Sequence, residues 1–329
     1  MNNTHHYHIS LLTKQQQNVY TLMRKTLTSL SSSVDLSNVS VVDLSKAHEA
    51  LLLDCPDIFY NTEYQYTQNG KGDVIKFTPK YNYPIVGLSQ YKAMVESSIA
   101  FFTSAKNKND YEKVLLVHDY VLDKIRYDYQ FVPESHNILG VVKNRQAVCE
   151  GIAKFVKLVF DRLFIKCIVV VGHALNPDTR RNGSEPHAWN MVEINGAWYS
   201  LDVTFDLTLT TKRKRYDYFL VRDEQLIKSH KTNIVLPKIG IQNIDYYTIH
   251  GMTVSNLSQL GSYVKKTLDS GQKTITFKLN NAPRGIGIDE TNSITKIIQE
   301  QCGRIFYGTF YINMRYNNTM QVYEINITP

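Results

Sequence analysis

Pro186-His187-Ala188-Trp189-Asn190-Met191-Val192-Glu193-Ile194-Asn195-Gly196-Ala197-Trp198-Tyr199-Ser200-Leu201-Asp202-Val203-Thr204 is the stretch from which the fold is read. Two strand-like runs flank Asn-Gly, a pair that tolerates the positive φ of a two-residue hairpin turn. With Asn195 and Gly196 as that turn, Ile194 pairs with Ala197 and Trp189 falls opposite Asp202. His187 shares a face with Trp189, which makes Asp202 its diagonal neighbour at ~5–8 Å between Cβ atoms, within reach of an imidazole nitrogen. A one-residue bulge would send the two to opposite faces, so the arrangement depends on register.

Upstream, Val148-Cys149-Glu150-Gly151-Ile152-Ala153-Lys154-Phe155-Val156 opens a helix whose apolar stripe runs Ile152, Phe155/Val156, Val159 and Leu163. Cys149 thus sits at a helix N-terminus. Unpaired amides and the positive end of the dipole there favour thiolate, and the same amides can stabilise an oxyanion. Taken singly, such a cysteine is an inert core residue and such a histidine a satisfied strand residue. Together with Asp202 they form a working set: Cys149 as nucleophile, His187 as acid and base, Asp202 fixing the imidazole tautomer. A second oxyanion donor is needed; Gln130 and Asn137 are candidates between which the sequence does not choose, and Trp189, a residue more often hairpin core, would line the cleft in this register.

At these residues the chain resembles the transglutaminase-like superfamily, in its bacterial multi-domain form. The resemblance is carried by Ala147-Val148-Cys149-Glu150-Gly151, Pro186-His187-Ala188-Trp189-Asn190 and Trp198-Tyr199-Ser200-Leu201-Asp202-Val203-Thr204-Phe205-Asp206, in the order Cys, His, Asp. Asp54 to Tyr60, His118-Asp119-Tyr120 and Tyr218 to Glu224 extend it over about residues 45–230. It implies an α+β, papain-like core, with a nucleophile helix packed on an antiparallel sheet that bears His and Asp. Arg145-Gln146 stands where such proteins often carry Gly-Lys, and Phe205 where Trp is common. The implied activity is thiol-dependent acyl transfer on carboxamide or peptide bonds, as transglutaminase, amidase or peptidase, with protein or peptide as substrate. A fold of this kind without turnover, serving as a protein-binding module, is the alternative.

Outward from this block, residues 12–60 read mainly as helix, with Ser31–Ser33 as a break. Strands follow at Phe59–Thr67 and Val74–Pro79, then helices at Gly87–Ala105 and from Asn109-Asp110 to near Tyr127, the second with Val114, Val117, Val121 and Ile125 on one stripe. Beyond Pro237 the pattern is a small α+β segment: helix 257–268, strand 273–279, helix 293–302, strands 307–314 and 321–327. The expected domains are an N-terminal α/β region at 1–108, a catalytic core at 109–238 and a C-terminal α+β domain at 239–329.

Composition excludes more than it assigns. The formal charge of +7 is a mild excess, 37 basic against 30 acidic residues, and Lys212-Arg213-Lys214-Arg215 lacks interleaved aromatics, so it reads as a solvated loop and no nucleic-acid partner is expected. Four cysteines, at 55, 149, 167 and 302, have neither zinc nor disulfide spacing; Cys55, Cys167 and Cys302 read as structural. With no EF-hand loop, no metal or other cofactor is expected. No window approaches a membrane span and no signal peptide is evident, so the default localisation is cytoplasmic, or exported if a leader has been removed. His5-His6-Tyr7-His8 reads as a flexible terminus. His118 is expected to pack rather than pair with its neighbour Asp119, and Glu150 and Asp206 to be structural or solvated.

Overall fold

The computed structural model describes residues 5–175, 183–280, 288–306 and 308–328. It divides into two compact units, Met1–Arg215 with His230–Gly240, and Tyr216–Ser229 with Ile241–Pro329. The architecture is mixed α+β, with antiparallel sheets and helices.

In the first unit, α1 (Lys14–Thr28) starts at a capping box in which the Thr13 side chain accepts from Gln16 N–H and the Gln16 side chain accepts from Thr13 N–H. The strand β1 (Val34–Val39) comes next, followed by α2 (Val41–Asp54), capped by Ser40. β1 corrects the reading of 12–60 as helix. It pairs antiparallel with β3 (Val74–Tyr81), whose other edge takes β2 (Asn61–Gln68). The polar composition of Val34-Asp35-Leu36-Ser37-Asn38-Val39 hid a strand that depends on a partner forty residues away.

The N-terminus is also not free. His8 and Ile9 donate their backbone N–H groups to the Asp54 carboxylate at 2.9 and 3.0 Å, the His8 ring meets Val169 O at 2.8 Å, and Lys157 Nζ donates to His5 O at 3.0 Å. A buried carboxylate and a buried ammonium thereby find partners in a segment that composition alone marks as loose.

After α3 (Ile85–Ala100), α4 (Asp110–Lys124) begins at a second capping box, between Asn109 and Glu112, and buries Val114, Val117 and Val121. The central helix is α5 (Cys149–Arg162). Its expected stripe is buried, but so are Lys154, Lys157 and Asp161 on its other sides. Those charges are tolerated because they close on partners: Lys157 on Asp161 at 2.7 Å and Lys154 on Glu150 at 2.6 Å.

α5 lies against a four-stranded antiparallel sheet. Its members are β4 (Cys167–Leu175), β5 (Ser184–Ile194), β6 (Ala197–Leu201) and the two-residue β7 (His230–Lys231), in the order β6-β5-β4-β7. Ala153 of α5 packs with Val169 and Ala188, and Asn190 Nδ2 donates to Ala153 O at 2.9 Å. The helix comes so close to the chain before it that a Cβ added at Gly151 would lie 2.2 Å from Ser135 O. Gly151→Ala is therefore expected to cost about 1–3 kcal/mol, as overpacking does, and to tilt the N-terminus of α5. A urea midpoint unchanged from the parent would contradict this contact.

The second unit has its own core. β8 (Thr274–Leu279), β9 (Tyr311–Asn317) and β10 (Val322–Thr328) form a sheet with β10 in the middle, and Thr253–Val254 adds a short parallel edge to β8. α7 (Leu257–Asp269) and α8 (Ile288–Ile305) cover it, with Leu260, Val264, Phe277, Ile294, Ile298, Cys302 and Ile325 buried; α6 is the short helix Val203–Leu209 that follows β6. Among the described residues no helix is long and apolar enough to cross a membrane.

Candidate active site

Asn195 and Gly196 both hold positive φ, 51° and 79°, and close the β5–β6 hairpin. Ile194 faces Ala197 and Asn190 faces Leu201, an unbroken register that leaves Asp202 one step beyond the strand, opposite Trp189. There Asp202 turns into α6 as its N-cap: Oδ1 accepts the Phe205 N–H at 3.0 Å. One residue thus ends a strand, starts a helix and keeps its second oxygen for another partner.

That partner is His187, whose Nε2 lies 2.7 Å from Asp202 Oδ2. With Nε2 committed to the carboxylate, Nδ1 is the ring nitrogen left for a further partner. Burial alone would lower the His187 pKa, yet it is raised to about 10, because the Asp202 charge and hydrogen bond outweigh desolvation and the Cys149 sulfur adds to them. Burial would in turn raise Asp202; His187 first, and a second imidazole after it, hold its carboxyl well below the usual range.

Cys149 is the first residue of α5, and Val148 before it makes no side-chain cap, so no side chain competes for the first-turn amides. Its thiol is half-buried, while Cys55, Cys167 and Cys302 are buried, and burial raises the pKa of each, Cys55 to about 11. Iodoacetamide at mildly acidic pH is therefore expected to modify Cys149 well ahead of the other three in a peptide map. Even labelling of all four would contradict the assignment.

The remaining candidates fall elsewhere. Trp189 does not line an open cleft: it is 2% exposed, stacked on His187 at 6.1 Å between ring centres, and shields the imidazole. Gln130 is exposed on a loop whose backbone is anchored to Asp128. Asn137 is buried, with its side-chain oxygen accepting the Leu139 N–H at 2.8 Å. Tyr127, which the sequence did not single out, feels the charges of Cys149 and Asp202 after burial has raised its hydroxyl pKa to about 12. Phe205 packs 4.8 Å from the His187 ring, and Arg145 adopts φ 54°, the left-handed conformation that a glycine takes without strain.

His118 and the basic run were also read differently from sequence. His118 does pair, placing Nε2 3.0 Å from Asp206 Oδ2 and Nδ1 3.5 Å from Asp119, and so ties α4 to α6 beneath the site. The basic run is not simply solvated, since Arg215 is buried and Lys214 reaches Asp119 and Asp123.

A further imidazole completes the array. His230, on β7, places Nε2 2.8 Å from the same Asp202 Oδ2. The ligand atoms of His187, Asp202 and His230 lie within 4.8 Å of one another, as those of a metal site would. With both Nε2 atoms protonated, the two rings share that one oxygen as hydrogen-bond donors.

The Transglutaminase-like superfamily profile matches residues 97–203, a stretch that contains Cys149, His187 and Asp202. The likeness to that superfamily thus covers one part of the chain, residues 97–203. Among solved structures, a TGase is 18% identical with a TM-score of 0.30, covering 48% of this chain and 48% of its own. A candidate cysteine protease from Cytophaga hutchinsonii is 17% identical with a TM-score of 0.28, covering 43% of this chain and 61% of its own. The periplasmic domain of TgpA from Pseudomonas aeruginosa, bound to ethylmercury, is 14% identical with a TM-score of 0.28, covering 40% and 56%. The chain thus spans about half to three fifths of the length of these structures. No curated protein matches it.

Proposed function

We propose that the chain is a thiol-dependent acyl-transfer enzyme acting on carboxamide or peptide bonds of protein or peptide substrates through a thioester on Cys149. The observation that carries this reading is the buried His187 ring, bonded through Nε2 to Asp202 and raised in pKa by that carboxylate first and by the Cys149 sulfur after it. In the forward half-reaction Sγ gives its proton to His187 and attacks the carbonyl carbon, the oxyanion forms against the N-terminal amides of α5, and the C–N bond breaks as His187 passes that proton to the departing amine. In the return half-reaction His187 takes a proton from water or from an acceptor amine, whose attack breaks the C–S bond and restores the thiol. Asp202 keeps its negative charge throughout and fixes the ring orientation.

Water as acceptor makes the enzyme an amidase or peptidase; a lysine-like amine makes it a transglutaminase. Intact-mass analysis of a glutamine-containing protein, incubated with the enzyme and a labelled primary amine, separates these outcomes. Amine incorporation or chain cleavage, either one lost in Cys149→Ala, supports the reading. An unchanged substrate together with no acyl adduct on Cys149 after exposure to an activated ester would overturn it.

A further inference from the structure

We infer that His230 is a fourth member of the array, a positioning residue that holds the Asp202 carboxylate in the orientation His187 requires. The inference rests on the reading of Cys149, His187 and Asp202 given above, and it starts from an arrangement that reading does not need. Asp202 takes three donors: Nε2 of His187 at 2.7 Å and Nε2 of His230 at 2.8 Å on Oδ2, and the Phe205 N–H at 3.0 Å on Oδ1. Two donors would satisfy a buried carboxylate bound to its histidine. The third fixes rotation about its C–C bond, so Oδ2 cannot turn away when the imidazole gains or loses its proton.

His230 is itself held from several sides. It is 3% exposed, and its strand is short but pinned: Lys231 pairs with His173, His230 with Ala174, and the Thr232 hydroxyl donates to Val171 O at 2.7 Å. Its ring meets Trp189 edge-on at 4.9 Å and Phe205 at 4.7 Å, and lies 5.4 Å from His187. Trp189 and Phe205 therefore brace both imidazoles at once. Because His230 comes from a strand remote in sequence from the hairpin, it couples the carboxylate to the far edge of the sheet, beyond β4.

The consequence is electrostatic as well as geometric. Each donor on Oδ2 draws off some of the charge that Asp202 would otherwise direct at His187. The groups that face this pair are Cys149 from α5, His230 from β7 and Tyr127 from the segment before the nucleophile, with Glu185 of β5 acting on Tyr127. Among the described residues, His187 and His230 share Asp202 Oδ2, while the Phe205 N–H takes Oδ1.

His230→Phe keeps the packing against Trp189 and Phe205 and loses the donor; His230→Gln keeps a donor near the Nε2 position. The phenylalanine variant is expected to lose roughly ten- to a hundredfold in kcat, in line with one hydrogen bond to a charged group, with KM little changed, and to move the alkaline limb of the kcat profile upward. The glutamine variant should recover most of kcat and return the limb toward the parent's. Should the phenylalanine variant not fold, His230→Asn, whose shorter amide falls short of Oδ2, takes its place. Equal losses in the donor-keeping and donor-lacking variants, or an unmoved limb, would overturn the assignment. So would loss of the parent's activity on dialysis against a chelator, since the ring nitrogens would then be ligands.

NMR titration of the His187 ring in a Cys149→Ala background separates this inference from the reading it rests on. An upward shift on replacing His230 supports the coupling even if no acyl transfer is found; an unchanged titration removes it even in an active enzyme.

Discussion

Cys149→Ala is expected to reduce acyl transfer to the background of the assay, a loss of at least ~10⁴-fold, because the proposed thioester forms on its sulfur. His187→Ala should lose nearly as much, and the double variant little more than either, since nucleophile and base act as one unit. The fold should survive the cysteine change: its thiol is half-buried and the helix it opens is held by Ile152, Phe155, Val156 and Val159, all buried. The check is turnover measured beside a urea melt. Retained turnover in Cys149→Ala would move the chemistry to another residue, whatever the fold resembles.

Asp202→Asn is expected to act on both activity and stability. An asparagine keeps the cap on α6 but removes the charge that chiefly overcomes the desolvation of His187, so the imidazole pKa falls from about 10. Turnover should drop by roughly 10³–10⁴-fold, as when a triad loses its carboxylate.

The stability effect has a sign fixed by linkage. His187, raised in the native state, contributes stability that is full below about 6.5 and fades as pH climbs through about 10. Asp202, lowered in the native state, contributes stability that is full above about 4 and fades as pH falls through its native value. The parent should therefore exceed the variant by about 3 kcal/mol between roughly pH 4 and 6.5, the low end of what removing one partner of a buried pair costs. Above that window the difference should narrow. Urea melts at pH 5.5 and pH 9 test this; a gap that grows toward pH 9 would contradict the charge state assigned to His187.

The parts of this site that sequence discloses are those fixed by short-range rules. Asn195-Gly196 sets the turn, the turn sets the register, and the register carries His187 and Asp202 to neighbouring places. Cys149 before an apolar-periodic run is likewise a local signal. His230 gave none. It lies 28 residues past Asp202, in a two-residue strand whose pairing is decided by β4, and only the folded sheet brings its ring to the carboxylate. His118 was missed for a related reason. Helix geometry turned attention to its neighbour Asp119, while its shorter bond goes to Asp206, 88 residues on. β1 and the His5–His8 segment complete the pattern, since a polar-looking stretch becomes ordered when a distant edge or a buried charge needs it.

The position of His230 in the chain also sets an order of events during synthesis. Cys149, His187 and Asp202 emerge from the ribosome first, followed by 216–229, which fold with the other unit, and only then by the strand that carries His230. Until that strand docks, the proposed nucleophile and base and the carboxylate that orients the base lack the brace from His230. On the proposed reading, the four-residue array is complete only once the last edge of the sheet is in place.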